Sequence, residues 1–472
     1  GPQEVKAVMK IGWVALGCPK NLVDTEFLIG LMKRAGYEYT TRPEEADILA
    51  INTCCFIQSA TEESLDRIVE YARYKEKNCR LLVVLGCLPQ RYGRQLPALL
   101  PEVDLWLGTG DYSRLPELVA AALARDRDGK ETALFHLEDP GWLPEPGLAR
   151  VLSTAPYTAY VKIAEGCDNR CRYCVIPRIR GPYRSRPPEE IEQEVRELVE
   201  SGVKEINLVA QDTTAYGIDR EGRSTLPQLL TRLDRIAGDF WLRVLYAYPD
   251  RVSSELLAVF RGSEHLCAYL DLPLQHISGK ILKAMGRRST PGEILRLLAR
   301  IREVVPEMAL RTTFILGYPG ETEEDFAGLL SFLDVARFDW VGAFAYSREE
   351  GTPAAALKPQ VPPAVRERRR QELLARQEAI TAEKNRALCG KHLKVLVEKK
   401  TANGWVGRSY REAPEIDGLV RIAPADLLAR TSVAHECVAH ECAIKPGDFL
   451  TVEVTGAGAY EIYGRVPAVV AP

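Results

Sequence analysis

Cys167, Cys171 and Cys174 fall within eight residues as C-x₃-C-x₂-C, in the run Glu165-Gly166-Cys167-Asp168-Asn169-Arg170-Cys171-Arg172-Tyr173-Cys174. This spacing constrains the chain more than any other feature. Thiolates are the usual ligands of [4Fe–4S] clusters. Three cysteines leave a fourth iron open, and an open position separates catalytic metal sites from closed structural ones. A zinc knuckle would need a fourth Cys or His at short range, and none lies nearby. The segment reads as a cluster loop with one corner free for a substrate or cofactor.

The chain of 472 residues is long enough for roughly three domains. Its net charge of −3 gives no sign of a strongly basic nucleic-acid domain. No apolar run is long enough to span a bilayer and no signal peptide is evident. The 12 cysteines therefore fit cytoplasmic cluster ligation better than disulfides. Residues 1–6, beginning Gly1-Pro2, read as an expression scar and lead.

Residues 7–126 alternate short apolar strands (11–16, 48–52, 81–85, 103–107) with helices (21–35, 59–77, 90–100, 114–124). That alternation predicts a doubly wound α/β domain on a parallel sheet. Cys18, Cys54 and Cys87 each follow a strand, in Gly17-Cys18-Pro19, Thr53-Cys54 and Gly86-Cys87. Ligands bind outside the carboxyl ends of such strands, so the three thiols should converge on one sheet edge and suit a second open cluster. Cys55 is read as packing beside Cys54, and Cys79, Cys267 and Cys389 also as packing.

Residues 127–153 are rich in Gly, Pro and charge and read as a linker with a β-like excursion. Residues 154–388 repeat strand–helix units, with strands at 158–163, 205–209, 241–246, 269–272, 309–315 and 340–344. Six units predict a partial (β/α)₆ barrel whose active site lies at the strand C-termini, where the cysteine triplet falls. A helix at 361–387 closes it, its Arg366–Arg370 run taken as a solvated face. Residues 389–468 carry short strands with Gly/Pro turns and suggest a small antiparallel β-barrel of the OB kind.

Two cysteine triplets with these spacings resemble the methylthiotransferases, a branch of the radical S-adenosylmethionine (radical SAM) enzymes. Gly17-Cys18-Pro19-Lys20-Asn21-Leu22-Val23-Asp24-Thr25-Glu26, Arg180-Gly181-Pro182-Tyr183-Arg184-Ser185-Arg186-Pro187 and Ala413-Pro414-Glu415-Ile416-Asp417-Gly418 are similar to the branch that modifies ribosomal protein. The tRNA-modifying branch has Gln-Met-Asn where this chain has Pro19-Lys20-Asn21.

The resemblance implies an N-terminal methylthiotransferase domain, a radical SAM core and a C-terminal TRAM domain. It implies a methylthio group inserted at the β-carbon of an aspartate in ribosomal protein S-twelve, with an electron donor such as flavodoxin or ferredoxin. Cys167, Cys171 and Cys174 would hold the cluster that cleaves S-adenosylmethionine to a radical. Cys18, Cys54 and Cys87 would hold the cluster bearing the transferred sulfur, which a second S-adenosylmethionine methylates. Tyr173, Gln211, Asp212, Arg311 and Gly317 would contact S-adenosylmethionine. His276 reads as a hydrogen-bonded pocket residue.

Two other functions compete. Methylthiolation of tRNA adenosine is disfavoured by the balanced charge of residues 391–472, ten Lys/Arg against ten Asp/Glu. An electron-transfer or scaffold protein would have all irons ligated by protein. A near-duplication, Val433-Ala434-His435-Glu436-Cys437 and Val438-Ala439-His440-Glu441-Cys442, reads as a local repeat rather than a metal site.

Overall fold

A computed structural model describes residues 7–125, 133–423 and 444–467. The duplicated His/Cys segment lies outside the described residues. No helix among the described residues is long and apolar enough to cross a membrane.

The first sheet contains β1 (Lys10–Ala15), β2 (Glu38–Thr40), β3 (Ile48–Thr53), β4 (Leu81–Gly86), β5 (Leu105–Leu107) and β6 (Leu134–His136). They lie in the order β2-β1-β3-β4-β5-β6, and every pairing is parallel. The central strands ILAINT and LLVVLG are buried along their whole length, as strands covered on both faces must be. Phe27, Leu115 and Val119 cover one face, and Ile68, Leu88 and Leu96 cover the other. The chain leaves β1 on one side for β2 and returns on the other as β3. The doubly wound sheet thus reverses direction between β1 and β3, where such folds open a crevice for ligands.

β2 and β6 are edge strands of three residues each, too short for an alternating pattern. β6 brings part of the expected linker into the sheet. The helix expected at 90–100 is broken into Cys87–Tyr92 and Leu96–Leu99. Gly93 at φ 65° ends the first piece, and Pro97 opens the second.

The second domain begins with β7 (Thr158–Lys162) and a small antiparallel pair, β8 (Ala164–Glu165) and β9 (Arg184–Ser185). β10 (Glu205–Val209), β11 (Trp241–Val244), β12 (Leu266–Asp271), β13 (Ala309–Leu316) and β14 (Trp340–Ala345) follow. The parallel sheet β14-β13-β12-β11-β10-β7 is the predicted six-stranded open barrel. Helix Pro363–Arg386 closes it. The arginine run on this helix is not simply solvated. Arg369 is buried against Glu321 at 2.7 Å and Glu323 at 3.0 Å, and Arg366 packs on Gly317.

β15 (His392–Thr401), β16 (Gly404–Arg408), β17 (Leu419–Ile422), β18 (Phe449–Ala457) and β19 (Glu461–Arg465) close a third, small barrel in the order β15-β16-β17-β19-β18. Its β17–β19 pair is parallel. The segment between β16 and β17 fills the floor of the (β/α)₆ barrel. Arg408 grips Glu205 with two hydrogen bonds of 2.8 and 2.6 Å. Arg243 donates to the Tyr410 carbonyl at 2.7 Å, and Trp340 to that of Arg411 at 2.6 Å. Asp417 accepts from Tyr269 at 2.7 Å and Arg311 at 2.8 Å.

Cys55, Cys79 and Cys267 are buried as packing residues, but Cys389 is exposed beyond the closing helix.

Candidate functional site

Cys18, Cys54 and Cys87 follow β1, β3 and β4, three adjacent strands of one sheet. Cys18 caps helix Pro19–Arg34, and Cys87 opens the helix after β4. Gly17, at φ 84°, makes the approach possible: a Cβ there would sit 2.5 Å from the Cβ and 2.7 Å from the Sγ of Cys54. The thiols are close enough for Cys18 and Cys54 each to disfavour ionisation of Cys87. Burial, the larger effect, pushes the Cys87 thiol up to about 12, against the pull of the Arg180 guanidinium in hydrogen-bonding contact with it. Cys54 is raised chiefly by burial and then by Cys18.

The second triad lies on the 167–183 loop, pinned at its base by the β8–β9 pair. Cys167 N–H donates to the Gly181 carbonyl at 3.1 Å, and Arg172 N–H to that of Met285 at 2.8 Å. Cys171 and Tyr248 share a hydrogen bond of 3.1 Å, and Arg287 stacks over that tyrosine at 3.9 Å. The Ile176 amide donates to Cys174 Sγ at 3.4 Å, the kind of bond that tunes cluster sulfurs. Burial is the main reason that Cys167 rises to about 11 and Cys174 higher.

The donor sets fit iron–sulfur clusters. Each holds three thiols, and metal binding would ionise them outright despite their burial. Among the described residues no three His, Cys, Asp or Glu side chains gather tightly enough for a single metal ion.

Lys20 lies within electrostatic reach of both triads. Its charge is felt by Cys54 in the first set and by Cys174 in the second. A buried ionic quartet fixes the two domains at this junction. Asp24 of helix Pro19–Arg34 pairs with Lys162, and with Arg180 at 2.8 Å. Glu165, two residues before Cys167, pairs with Lys162 at 2.5 Å and Arg180 at 3.3 Å. Burial works against the Glu165 charge, but Lys162 and then Arg180 outweigh it and hold the carboxyl at about 2. Two cations facing two anions leave no net buried charge, the condition under which such groups are tolerated.

The other expected site residues separate into two groups. Tyr173, Gln211, Asp212 and Gly317 lie around the barrel mouth. Tyr173 meets Tyr318 edge to face at 6.4 Å. Asp212 receives Asn169 at 2.9 Å and Arg251 at 2.7 Å. Gly317 is required for packing, since a Cβ would strike Arg366 at 2.2 Å. Arg311 lies deeper, held by Asp417 of the floor segment. His276 is buried and meets Glu321 at 2.8 Å. Lys20, Arg180, Tyr246, Tyr248 and Arg287 were not singled out from sequence. Tyr246 and Tyr248 follow β11, and that strand-end position was the available signal.

Residues 10–108 match the family described as "Uncharacterized protein family UPF0004". Residues 161–333 match the Radical SAM superfamily, and residues 389–466 the TRAM domain. Among solved structures, the radical S-adenosylmethionine methyltransferase TsrM from Kitasatospora setae superposes with TM-score 0.55 at 15% identity, covering 74% of this chain and 77% of its own. The cobalamin-dependent enzyme OxsB gives 0.50 at 14% identity, covering 79% and 56%. These two share the fold. The ribosomal protein uS12 methylthiotransferase RimO of Pelotomaculum thermopropionicum is 47% identical over 97% of this chain and 99% of its own length.

The chain belongs to the RimO methylthiotransferase family.

The RimO of Geobacter sulfurreducens is 44% identical over 97% of this chain and 98% of its own. The likeness therefore spans all three domains. As a RimO-family radical SAM enzyme, the protein works with [4Fe–4S] clusters and S-adenosylmethionine.

Proposed function

We propose that this chain inserts a methylthio group at the β-carbon of an aspartate in ribosomal protein uS12. The near-complete alignment with relatives named for that reaction carries the reading. The same relatives disfavour the tRNA alternative. Two separate thiol triads support the chemistry, because sulfur transfer to carbon needs both a radical source and a sulfur holder.

In this reading Cys167, Cys171 and Cys174 hold one cluster, and Cys18, Cys54 and Cys87 hold the other. Together with S-adenosylmethionine, the bound clusters supply the radical, the methyl group and the sulfur. The chain itself orients and shields. Tyr173, Gln211, Asp212 and Gly317 flank S-adenosylmethionine, while Tyr248 and Arg287 cover Cys171. Arg180 offsets the negative charge that builds beside Cys87. A flavodoxin or ferredoxin delivers the electrons.

Mass spectrometry of uS12 from cells lacking this gene, with and without the gene restored, tests the function. The aspartate peptide should gain one methylthio group in place of one hydrogen only when the gene is restored. A gain on tRNA adenosine instead would overturn the reading.

Gly17→Ala should selectively empty the N-terminal site. The new methyl group overlaps Cys54 and forces alanine into left-handed backbone. Iron and sulfide content should fall to one cluster per chain, and methylthiolation should fall with it. Full cluster content would show that Gly17 is not needed for the thiols to approach.

A further inference from the structure

Lys20 is buried, with 5% of its surface exposed. Among the described residues its ammonium donates no hydrogen bond and forms no ion pair. Its Nζ sits 3.7 Å over the centre of the Tyr246 ring. The stem of Lys20 is buried while its ammonium keeps some access to solvent, and the cation–π contact offsets part of its desolvation. Among the described residues no carboxylate pairs with it. Asp271 is near enough for Lys20 to favour its ionised form, but it makes no ion pair with Lys20. It accepts the Tyr246 amide at 3.0 Å and faces Arg311 at 3.9 Å. Arg311 is the other charged group at this spot, and Asp417 engages it.

Tyr246 is itself held in an unusual state. Its φ is 60°, a left-handed conformation that a bulky residue rarely adopts. The strain holds the ring beneath the amine. An outlying backbone that presents a ring to an ammonium with no ion-pair partner among the described residues describes a binding position.

Resting on the proposed function, we infer that Lys20 pairs with the side-chain carboxylate of the target aspartate. The acceptor carbon must be reachable from both triads. Lys20 stands two residues after Cys18 and over the Tyr246 ring beyond β11, and its charge reaches Cys54 and Cys174. A carboxylate on the Lys20 ammonium sets its own β-carbon one bond from the anchored group. Asparagine, equal in shape but neutral, would leave the cation unpaired. Lys20 is thus a specificity-determining residue for an acidic side chain.

The test uses cluster-loaded enzyme with S-adenosylmethionine and a fluorescent peptide spanning the uS12 target loop, compared with the same peptide carrying Asn for the target Asp. Wild type should bind the Asp peptide roughly 10- to 100-fold more tightly, as a charge-assisted bond requires. In Lys20→Met the two peptides should bind within about twofold of each other. Lys20→Arg should keep part of the preference, which distinguishes lost charge from lost fold. An Asp preference that survives in Lys20→Met would overturn the assignment. So would a wild type that does not discriminate. A Lys20→Met variant that loses S-adenosylmethionine affinity or shifts a cluster potential, with peptide preference intact, would assign the amine to a cofactor instead. If wild type leaves uS12 unmodified, the proposed function itself falls. If wild type modifies uS12 while Lys20→Met keeps its preference, only the role of Lys20 falls.

Discussion

Cys167→Ala is expected to abolish both 5′-deoxyadenosine release and methylthiolation, whereas Cys54→Ala should abolish methylthiolation and spare deoxyadenosine release. The difference follows from the two triads standing on separate elements. Cys167 lies on the loop pinned by β8 and β9, and Cys54 at the end of β3. Losing a ligand should cost more than the ~10–100-fold typical of losing an outer-shell partner. Chromatography of the nucleoside and mass spectrometry of uS12 on the same samples separate the two effects. Cys55→Ala provides the control. Cys55 is buried at the foot of the site, and its replacement should cost stability alone. Equal losses from Cys54→Ala and Cys55→Ala would refute the division between these neighbours.

Glu205→Gln should destabilise the protein by about 3–5 kcal/mol, as expected when one partner of a buried ion pair is removed. Glu205 is wholly buried. It accepts from Arg408 twice and from Thr158 at 2.8 Å, and it faces Arg243 at 3.3 Å. The variant leaves the buried Arg243 facing a neutral amide and leaves Arg408 with Glu398 as its remaining carboxylate. Burial alone would raise this carboxyl, but Arg408 and then Arg243 prevail and hold it at about 2. In the unfolded chain the value returns to about 4.3. Because the folded value is depressed, the stabilisation is full above about pH 4.3 and fades as pH falls toward 2. Urea titrations at pH 7 and pH 3 should show wild type losing stability on acidification. Glu205→Gln should lose less over the same interval, and an identical loss in both proteins would place the acid sensitivity elsewhere.

Where local pattern determined the geometry, the sequence was informative. The spacing of Cys167, Cys171 and Cys174 placed them on one loop. The convergence of Cys18, Cys54 and Cys87 followed from parallel-sheet topology, since all three sit at strand C-termini. What could not be read depended on distant partners. Resemblance assigns Arg311 to the cofactor, and nothing local announces that Asp417, 106 residues away on the floor segment, engages it. Arg369 looked solvated within an arginine run, yet Glu321 and Glu323 bury it. The isolation of Lys20 was invisible for the same reason: no local pattern shows that an ammonium lacks a counter-charge. Glycine has a similar ambiguity, since Gly317 resembled a nucleoside-side turn and proves essential for the approach of Arg366.

Helix Pro19–Arg34 carries more than its share of these relationships. Lys20 reaches Tyr246, Asn21 receives Arg180, Asp24 receives Lys162, and Glu26 receives Arg150. All four belong to the first two turns of one rigid rod, which starts at Cys18. Each residue of an α-helix advances the direction of its side chain by about 100°. A single insertion between Lys20 and Asp24 would therefore turn the amine about a quarter-turn relative to Asp24, and the two could no longer both meet partners that the second domain holds fixed. The stretch from Cys18 to Glu26 works as a gauge block between two machines. No residue in it is exposed, so neither its length nor its spacing can change.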